Sequence, residues 1–337
     1  TMSRLRPAIA LAAFACLLLA FAASPAPAPQ PAAPPVALVG GRVFPVSGPP
    51  IEGGTVLIRD GRIEAVGRGI PVPADARRID VSGQWVLPGL IDSRTHLGIW
   101  EVDLDSAGRD EDEKSDPITP QARVIDAFYD ESENIRVTRQ TGVAAALVAP
   151  GEGNLINGQS ALVDLSGEDL DQVLLKFPVA MHFSLGEPPK ARYSSRKQAP
   201  SSRMGSAALI RSTLIQAQPY RGKREDYDRK VLECGRKKSA RSKGRKEEKC
   251  PPDVPGRDLR LEALLPVLSG EVPAIFRAQR MDDILTAVRL AEERGPVTAT
   301  ADGQGIVLGL YPGSRLKPYP ADQGFHVSHE IILEPDA

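Results

Sequence analysis

The 337-residue chain has the composition of an ordinary folded protein, with 42% hydrophobic and 25% charged residues. This length encodes one large domain or two smaller ones. The formal net charge is −1, so the molecule as a whole has no strong electrostatic attraction for polyanions, and nucleic acid is not an expected partner.

The N-terminus predicts export. Arg4 and Arg6 precede an apolar run from Ile9 to Ala23 that ends in small residues. This is the order of a secretory signal peptide, and a run of about 15 residues is short for a transmembrane span of ~20. We therefore expect a signal peptide over residues 1–23 and a periplasmic or secreted protein, with an uncleaved anchor as the alternative. Residues 24–35, SPAPAPQPAAPP, predict a stiff Pro/Ala-rich linker.

Residues 36–88 predict a small β domain. The apolar runs 55–59 and 62–66 flank Asp60-Gly61. An Asp-Gly pair between alternating apolar runs is a strong signal for a type I′ hairpin. Further strands are expected near 36–44 and 78–81.

Residues 85–98, WVLPGLIDSRTHLG, are the most informative segment. They resemble the signature P-G-(L/F)-(I/V)-D-x-H-x-H of the amidohydrolase superfamily, in which a strand brings two histidines into a (β/α)₈ barrel. Two histidines two residues apart on a strand point to the same side and can bind one metal. Here Arg94 occupies the first histidine place and His96 the second. Arginine has no lone pair to offer a metal, so it cannot replace a histidine ligand.

Beyond residue 88 the expected helices and strands alternate, which indicates a parallel barrel or a doubly wound sheet. In chain order we expect a helix at about 131–141, strands at 143–148 and 179–183, a helical region from about Ser202, a helix at 258–268, a strand at 272–276, a helix at 283–294 capped by Asp282, and a strand at 297–301.

The resemblance is closest to imidazolonepropionase-like amidohydrolases and covers most of residues 36–303. It is also carried by APGEGN at 149–154 with GQS at 158–160, by LGEPPK at 185–190 and by DDI at 282–284. It implies an α/β protein with a small β-sandwich over 36–88 and an incomplete TIM-type (β/α) barrel over 89–303, with about five of the eight strands of a closed barrel. Residues 304–337 are a divergent tail, expected either of a fragment or of a frameshifted copy.

The resemblance also implies a site for zinc or another divalent metal. The matching positions are Arg94 and His96 at the two signature histidines, His182 where relatives often have lysine, and Arg277 and Gln279 where relatives have later histidines. His96 and His182 could share one zinc, but two neutral nitrogens without a third protein ligand make a weak site. Two hydrogen-bonded histidines in a degenerate pocket, with no metal bound, is the alternative. Asp92 is expected to be structural and to pair with Arg94.

Two charged segments are expected to be solvated surfaces. The acidic segment 103–116 suggests a calcium loop, but Lys114 stands where a bidentate glutamate is needed, which favours a loop over the barrel mouth. The charged insertion at about 221–257 contains a basic stretch, 221–249, with 13 Lys/Arg against 6 Asp/Glu. A solvated helix is expected there, and contact with an anionic surface is the alternative.

The three cysteines and the last histidines stay ambiguous from sequence. Cys16 lies in the signal region, and Cys234 and Cys250 are either a disulfide or two free thiols. His326 and His329 form an isolated H-x-x-H, which is more often coincidence than a metal site.

By resemblance, the ancestral function is metal-dependent hydrolysis of non-peptide C–N bonds in a small-molecule substrate. The alternative is a catalytically inactive exported protein, a pseudoenzyme, that binds or assembles. The open strand edges of an incomplete barrel predict association with a second copy or with a complementing chain.

Overall fold

A computed structural model describes residues 33–101, 105–167, 169–240, 253–293, 298–302 and 305–309. The chain divides after Pro88 into two compact units. The predicted signal peptide lies outside the described residues, as do most of the predicted linker, residues 241–252 of the charged insertion, and most of the predicted divergent tail with His326 and His329.

The first unit is a β domain. Its strands are β1 (Val36–Val43), β2 (Ile51–Arg59), β3 (Arg62–Gly67), β4 (Arg77–Asp80) and β5 (Trp85–Val86). Asp60 and Gly61 join β2 to the antiparallel β3 with positive φ angles of 49° and 70°, as a type I′ turn requires.

The strands of the first unit form one sheet, in the order β3-β2-β1-β4, with β5 also paired to β1. The small β-sandwich over 36–88 stays a prediction, and the described residues of this unit show one sheet. Strand β1 is the centre of this sheet, antiparallel to β2 and parallel to both β4 and β5.

The second unit contains two mixed sheets. Its strands are β6 (Leu90–Thr95), β7 (Val143–Val148), β8 (Ile156–Gln159), β9 (Ala161–Asp164), β10 (Leu174–Lys176), β11 (Met181–Ser184), β12 (Ala274–Ala278), β13 (Thr298–Asp302) and β14 (Gly305–Gly309). One sheet has the order β10-β9-β7-β6 and the other β13-β14-β12-β11-β8. The pairs β6–β7 and β11–β12 are parallel, and the other pairs are antiparallel.

The described strands therefore do not form a closed, all-parallel barrel, contrary to the parallel pattern expected from alternation. The segment 156–164 is the physical reason. It is extended along its length, interrupted at Ser160, and its first half pairs with β11 while its second half pairs with β7. Glycine is required at position 158, where the segment passes from one sheet to the other. The φ of Gly158 is +127°, and a Cβ there would lie 2.5 Å from the carbonyl oxygen of Ala122.

The helices are α1 (Glu133–Gln140), α2 (Leu170–Val173), α3 (Glu187–Ser194), α4 (Arg203–Ala240), α5 (Leu259–Ser269) and α6 (Met281–Glu292), with short 3₁₀ turns at Asp105–Gly108 and Val124–Asp126. Asp258 caps α5 by accepting from the backbone N–H groups of Arg260 and Leu261. Asp282 does not cap α6 as expected. The residue before this helix is Arg280, and Asp282 lies inside the first turn, where its carboxylate pairs with Arg280.

The main core of the second unit lies between the sheet that contains β11 and β12 and the helices α4, α5 and α6. Phe183 and Phe276 stack there with ring centroids 4.5 Å apart, and each is 1% exposed. Burial of such a side chain is worth about 1.5–3 kcal/mol. This core holds β11 and β12 in place, and both strands carry residues of the site.

The charged insertion begins within α4, a helix of 38 residues. Between residues 221 and 234 its charged side chains form helical ion pairs, such as Arg221–Glu225 and Lys230–Asp226. Cys234, near the end of this helix, is disulfide-bonded, while Cys250 falls outside the described residues. Within the part of the chain that the structure describes, no helix is both long enough and apolar enough to cross a bilayer.

Candidate functional site

The site is built around two parallel strand pairs in the second unit. Arg94 lies on β6 and His96 follows this strand, while His182 lies on β11 and Arg277 on β12. The structure thus brings together four of the five positions predicted from the signature. The fifth, Gln279, is exposed and lines a neighbouring cavity together with Arg277.

Glu152 is the site residue that sequence reasoning missed. It lies in the loop after β7, and its Oε1 pairs with Nη1 of Arg277 and, at 3.6 Å, with Nη1 of Arg94. The signal was present in the sequence, because Glu152 stands between Gly151 and Gly153 in a stretch that carries the family resemblance. However, the residues next to a carboxylate in the sequence do not indicate which distant arginine or lysine it pairs with.

Arg94 is held by backbone as well as by charge. Its Nη2 donates to the carbonyl oxygen of Pro150 at 3.3 Å. Asp92 was expected to pair with the Arg94 guanidinium, and here the expectation is corrected: the Asp92 carboxylate accepts from the backbone N–H of Arg94 at 3.0 Å. The Arg94 guanidinium is instead directed toward Glu152, whose Oε1 lies 3.6 Å from Nη1 of Arg94.

His96 is fixed in one orientation. Its Nδ1 lies 2.8 Å from the carbonyl oxygen of Ala149, which can only accept, so Nδ1 carries the proton. In the neutral ring this leaves the lone pair on Nε2. His96 can therefore accept a proton or a hydrogen bond at Nε2.

His182 is buried and neutral. It is 4% exposed, and burial, followed by the positive charge of Arg94 and by the electrostatic interaction with His96, lowers its pKa to about 3. Its Nε2 is buried without a hydrogen-bond partner in the described residues. A buried nitrogen in this condition is costly, and a bound ligand would satisfy it.

The acidic segment is tied into the fold next to this site. Asp112 is largely buried, and its carboxylate accepts from Arg192 at 2.6 Å and from the backbone N–H of Gly153 at 2.9 Å. The expectation of a solvated loop is therefore wrong for Asp112. The loop that carries Glu152 is held in place by this contact.

A cavity of about 60 Å³, open to solvent, adjoins the site. Its lining includes Glu152, Arg277, Gln279, Arg203, Glu187 and Asp283. The Asp283 carboxylate accepts from Arg203 Nε at 2.9 Å. Ligands thus have a route to Glu152 and to the Arg277 guanidinium that contacts it.

The donor set does not fit a tightly held divalent metal. No group of three or more histidine, cysteine, aspartate or glutamate side chains placed to hold a metal occurs among the described residues. The Glu152 carboxylate is already engaged by two guanidinium groups. Positive charge so close to His96 and His182 also opposes the binding of a cation.

Comparisons with known proteins agree with this fold and with the signature. The crystal structure of an amidohydrolase from Thermotoga maritima MSB8 matches 77% of the chain and 62% of its own length, with a TM-score of 0.67 and 31% identity. Amidohydrolase tasK of Hapsidospora irregularis is 28% identical over 254 residues, which are 71% of this chain and 25% of the relative. An imidazolonepropionase of Acidiphilium cryptum (strain JF-5) is 47% identical over 49 residues, 14% of this chain and 12% of the enzyme. No family model matches the chain.

These similarities support an amidohydrolase superfamily member, as the signature predicted. The chain is a mixed α/β protein with several sheets. The chain spans about a quarter of the length of the first curated relative and about three fifths of the Thermotoga structure.

Proposed function

We propose that this protein binds a small molecule at the site formed by His96, His182, Glu152 and the two arginines, and that it lacks metal-dependent turnover. The observation that carries the proposal is the engagement of Glu152 by both Arg94 and Arg277. These arginines stand at two places where the family resemblance implies metal ligands. The site is therefore suited to oxygen atoms of a ligand rather than to a cation.

The site residues have complementary roles toward such a ligand. Guanidinium groups donate to carboxylate or carbonyl oxygens. His96 offers a lone pair at Nε2, since its Nδ1 is engaged by Ala149. Together they suit a molecule that carries both an acceptor oxygen and an N–H or O–H donor, as the products and substrates of C–N hydrolysis do.

Hydrolysis of a non-peptide C–N bond is the second candidate function. Membership of a superfamily of hydrolases supports it. The specific observation in its favour is that His96 and His182 lie in one site, close enough for His96 to lower the pKa of His182. This candidate requires a zinc or other divalent ion that the described donor set holds weakly.

Zinc content separates the two candidates. We expect the wild type to retain well below one zinc per chain after dialysis and to show no metal-dependent hydrolysis of simple amides, imides or lactams. Arg94→His rebuilds the His-x-His pair on one strand face and removes a positive charge, so its zinc affinity should rise about tenfold to a hundredfold, equivalent to roughly 1.4–2.8 kcal/mol. Elemental analysis of both proteins measures this.

Arg136→His is the matched control for the zinc experiment. Arg136 pairs with Glu133 on the exposed face of α1, so a histidine there adds an imidazole without rebuilding the site. Its zinc content should equal that of the wild type. Stoichiometric zinc together with hydrolysis in the wild type would overturn the proposed function in favour of the second candidate.

We also propose that the second unit corresponds to part of a TIM-type barrel. The parallel pairs β6–β7 and β11–β12 support this. Arg94 and His96 lie at the carboxyl end of β6, and Arg277 and Gln279 at the carboxyl end of β12. In barrels of this type the active site is built at the carboxyl ends of the strands.

Export of the protein is a further proposal and rests on the N-terminal sequence alone. Cleavage near Ala23 is expected, with the mature chain beginning in the Pro/Ala-rich linker. Mass spectrometry of the periplasmic fraction would show this N-terminus. Soluble cytoplasmic protein that retains Met2 would contradict the proposal.

A further inference from the structure

The carboxylate of Glu152 lies between two arginine side chains that the fold shields from solvent. The side chains of Arg94, Arg277 and Glu152 are 16%, 12% and 24% exposed. Both guanidinium groups approach the same oxygen, Oε1 of Glu152. Charge-assisted bonds of this kind are stronger than neutral ones, particularly away from bulk water.

The two arginines are positioned by strands and not by Glu152. Arg94 lies on β6, which pairs with β7, and its guanidinium also donates to the Pro150 carbonyl oxygen. Arg277 lies on β12, where the backbone register places it between Ser184 of β11 and Val307 of β14. Removal of the Glu152 carboxylate would therefore leave the backbone of both arginines in place, with two shielded positive charges that lack their shared anion.

Glu152, in contrast, is attached to a loop between two glycines. The loop backbone is held by Asp112 through the N–H of Gly153, but the side chain rotates about its own bonds. It also lines the open cavity of about 60 Å³, so a dissolved ligand reaches this carboxylate. Exchange of one carboxylate for another needs only a change of side-chain rotamer.

A second observation points to a ligand. The Nε2 atom of His182 is buried and has no hydrogen-bond partner in the described residues, and His182 is close enough to Arg94 to feel its charge. A ligand whose carboxylate contacts the arginines can place a donor or acceptor near this nitrogen. A hydrogen bond from the ligand to this buried nitrogen therefore favours binding.

We propose that Arg94 and Arg277 form a seat for the carboxylate of a small-molecule ligand, and that Glu152 occupies this seat when the ligand is absent. The proposal rests on the small-molecule site proposed above and adds the chemical class of its ligand, a carboxylic acid. Glu152 acts as an internal competitor, so a ligand must displace it before both arginines are available.

Chemical rescue of Glu152→Ala by acetate tests the seat. The variant should unfold at a lower temperature than the wild type, because two shielded arginines lose their shared carboxylate. Acetate should restore part of the loss in a saturable manner. Acetamide, which has the same shape without the charge, and chloride at equal ionic strength should not. The apparent affinity for acetate should be about tenfold higher in the variant than in the wild type.

Glu187→Ala is the matched control, because Glu187 lines the same cavity and pairs with Arg203. It should show no acetate-specific rescue. Adding Arg277→Gln to Glu152→Ala should abolish the rescue. If Glu152→Ala does not fold, Glu152→Ser, which also removes the carboxylate and leaves its space open, carries the same comparison.

Equal effects of acetate and acetamide, or rescue that survives Arg277→Gln, would overturn the seat. Zinc is measured on the same samples. Absence of rescue in zinc-free protein contradicts the carboxylate seat but leaves the proposed small-molecule site standing. Stoichiometric zinc together with hydrolysis in the wild type contradicts the proposed function itself, so the two failures are distinguishable.

Discussion

Replacement of His182 by glutamine is expected to remove a pH-dependent loss of stability between about pH 6.5 and pH 3. Burial lowers the pKa of His182 to about 3 in the folded protein, whereas an unfolded histidine titrates near 6.5. Between these values the unfolded chain binds a proton at this residue and the folded chain does not. Unfolding then takes up a proton, so stability is complete above about pH 6.5 and falls as the pH decreases, by roughly 1.4 kcal/mol per pH unit.

Urea unfolding at several pH values between 7 and 4.5 measures this effect. The difference in free energy of unfolding between the wild type and His182→Gln should shift steadily in favour of the variant as the pH falls. Ser184→Ala is the control on the same strand. It loses the 2.9 Å hydrogen bond from Asn157 Nδ2 to Ser184 Oγ, and its stability should run parallel to that of the wild type at every pH. If the free energy of unfolding of His182→Gln also runs parallel to that of the wild type at every pH, His182 titrates normally in the folded state.

Asn154→Ala should lower the free energy of unfolding by roughly 3–5 kcal/mol, because several buried groups lose their partner at once. Asn154 is 1% exposed. Its Nδ2 donates to the Glu113 carbonyl oxygen at 2.6 Å and to Thr119 Oγ1 at 3.0 Å, and its Oδ1 accepts from the Tyr193 hydroxyl at 2.6 Å. The residue links the acidic segment, the Glu152 loop and α3, so the loss should also loosen the site.

Two control variants distinguish the loss of buried hydrogen bonds from the loss of an asparagine side chain alone. Tyr193→Phe removes one of these hydrogen bonds. Its free energy of unfolding should fall by about 1 kcal/mol, in addition to the cost of leaving the Asn154 amide oxygen unpaired. Asn134→Ala removes an exposed bond to the Trp100 carbonyl oxygen and should change stability by no more than about 0.5 kcal/mol. Denaturant unfolding with comparison of m-values measures all three. If Asn154→Ala behaves like Asn134→Ala, the network does not stabilise the fold.

Much of the site could be predicted from sequence because the signature specifies places along strands. A strand presents alternate residues on one side, so Arg94 and His96 had to share a face. The apolar runs around 143–148 and 179–183 likewise predicted β7 and β11, which meant that His182 would lie in a sheet. Glu152 was missed because it lies in a loop, where no periodicity indicates the direction of a side chain.

The sequence by itself determined the local features. These are the Asp60-Gly61 hairpin, the strand period of the signature and the arginine at its first histidine place, each of which depends only on residues a few positions apart.

The tertiary structure alone decided which distant groups meet. It placed the segment 156–164 across two sheets, directed Arg94 and Arg277 to Glu152, and buried His182 far enough to hold its ring neutral. The physical reason is that these outcomes depend on desolvation and on charges brought together from distant parts of the chain. These contributions to the free energy arise only when the core around Phe183 and Phe276 has packed.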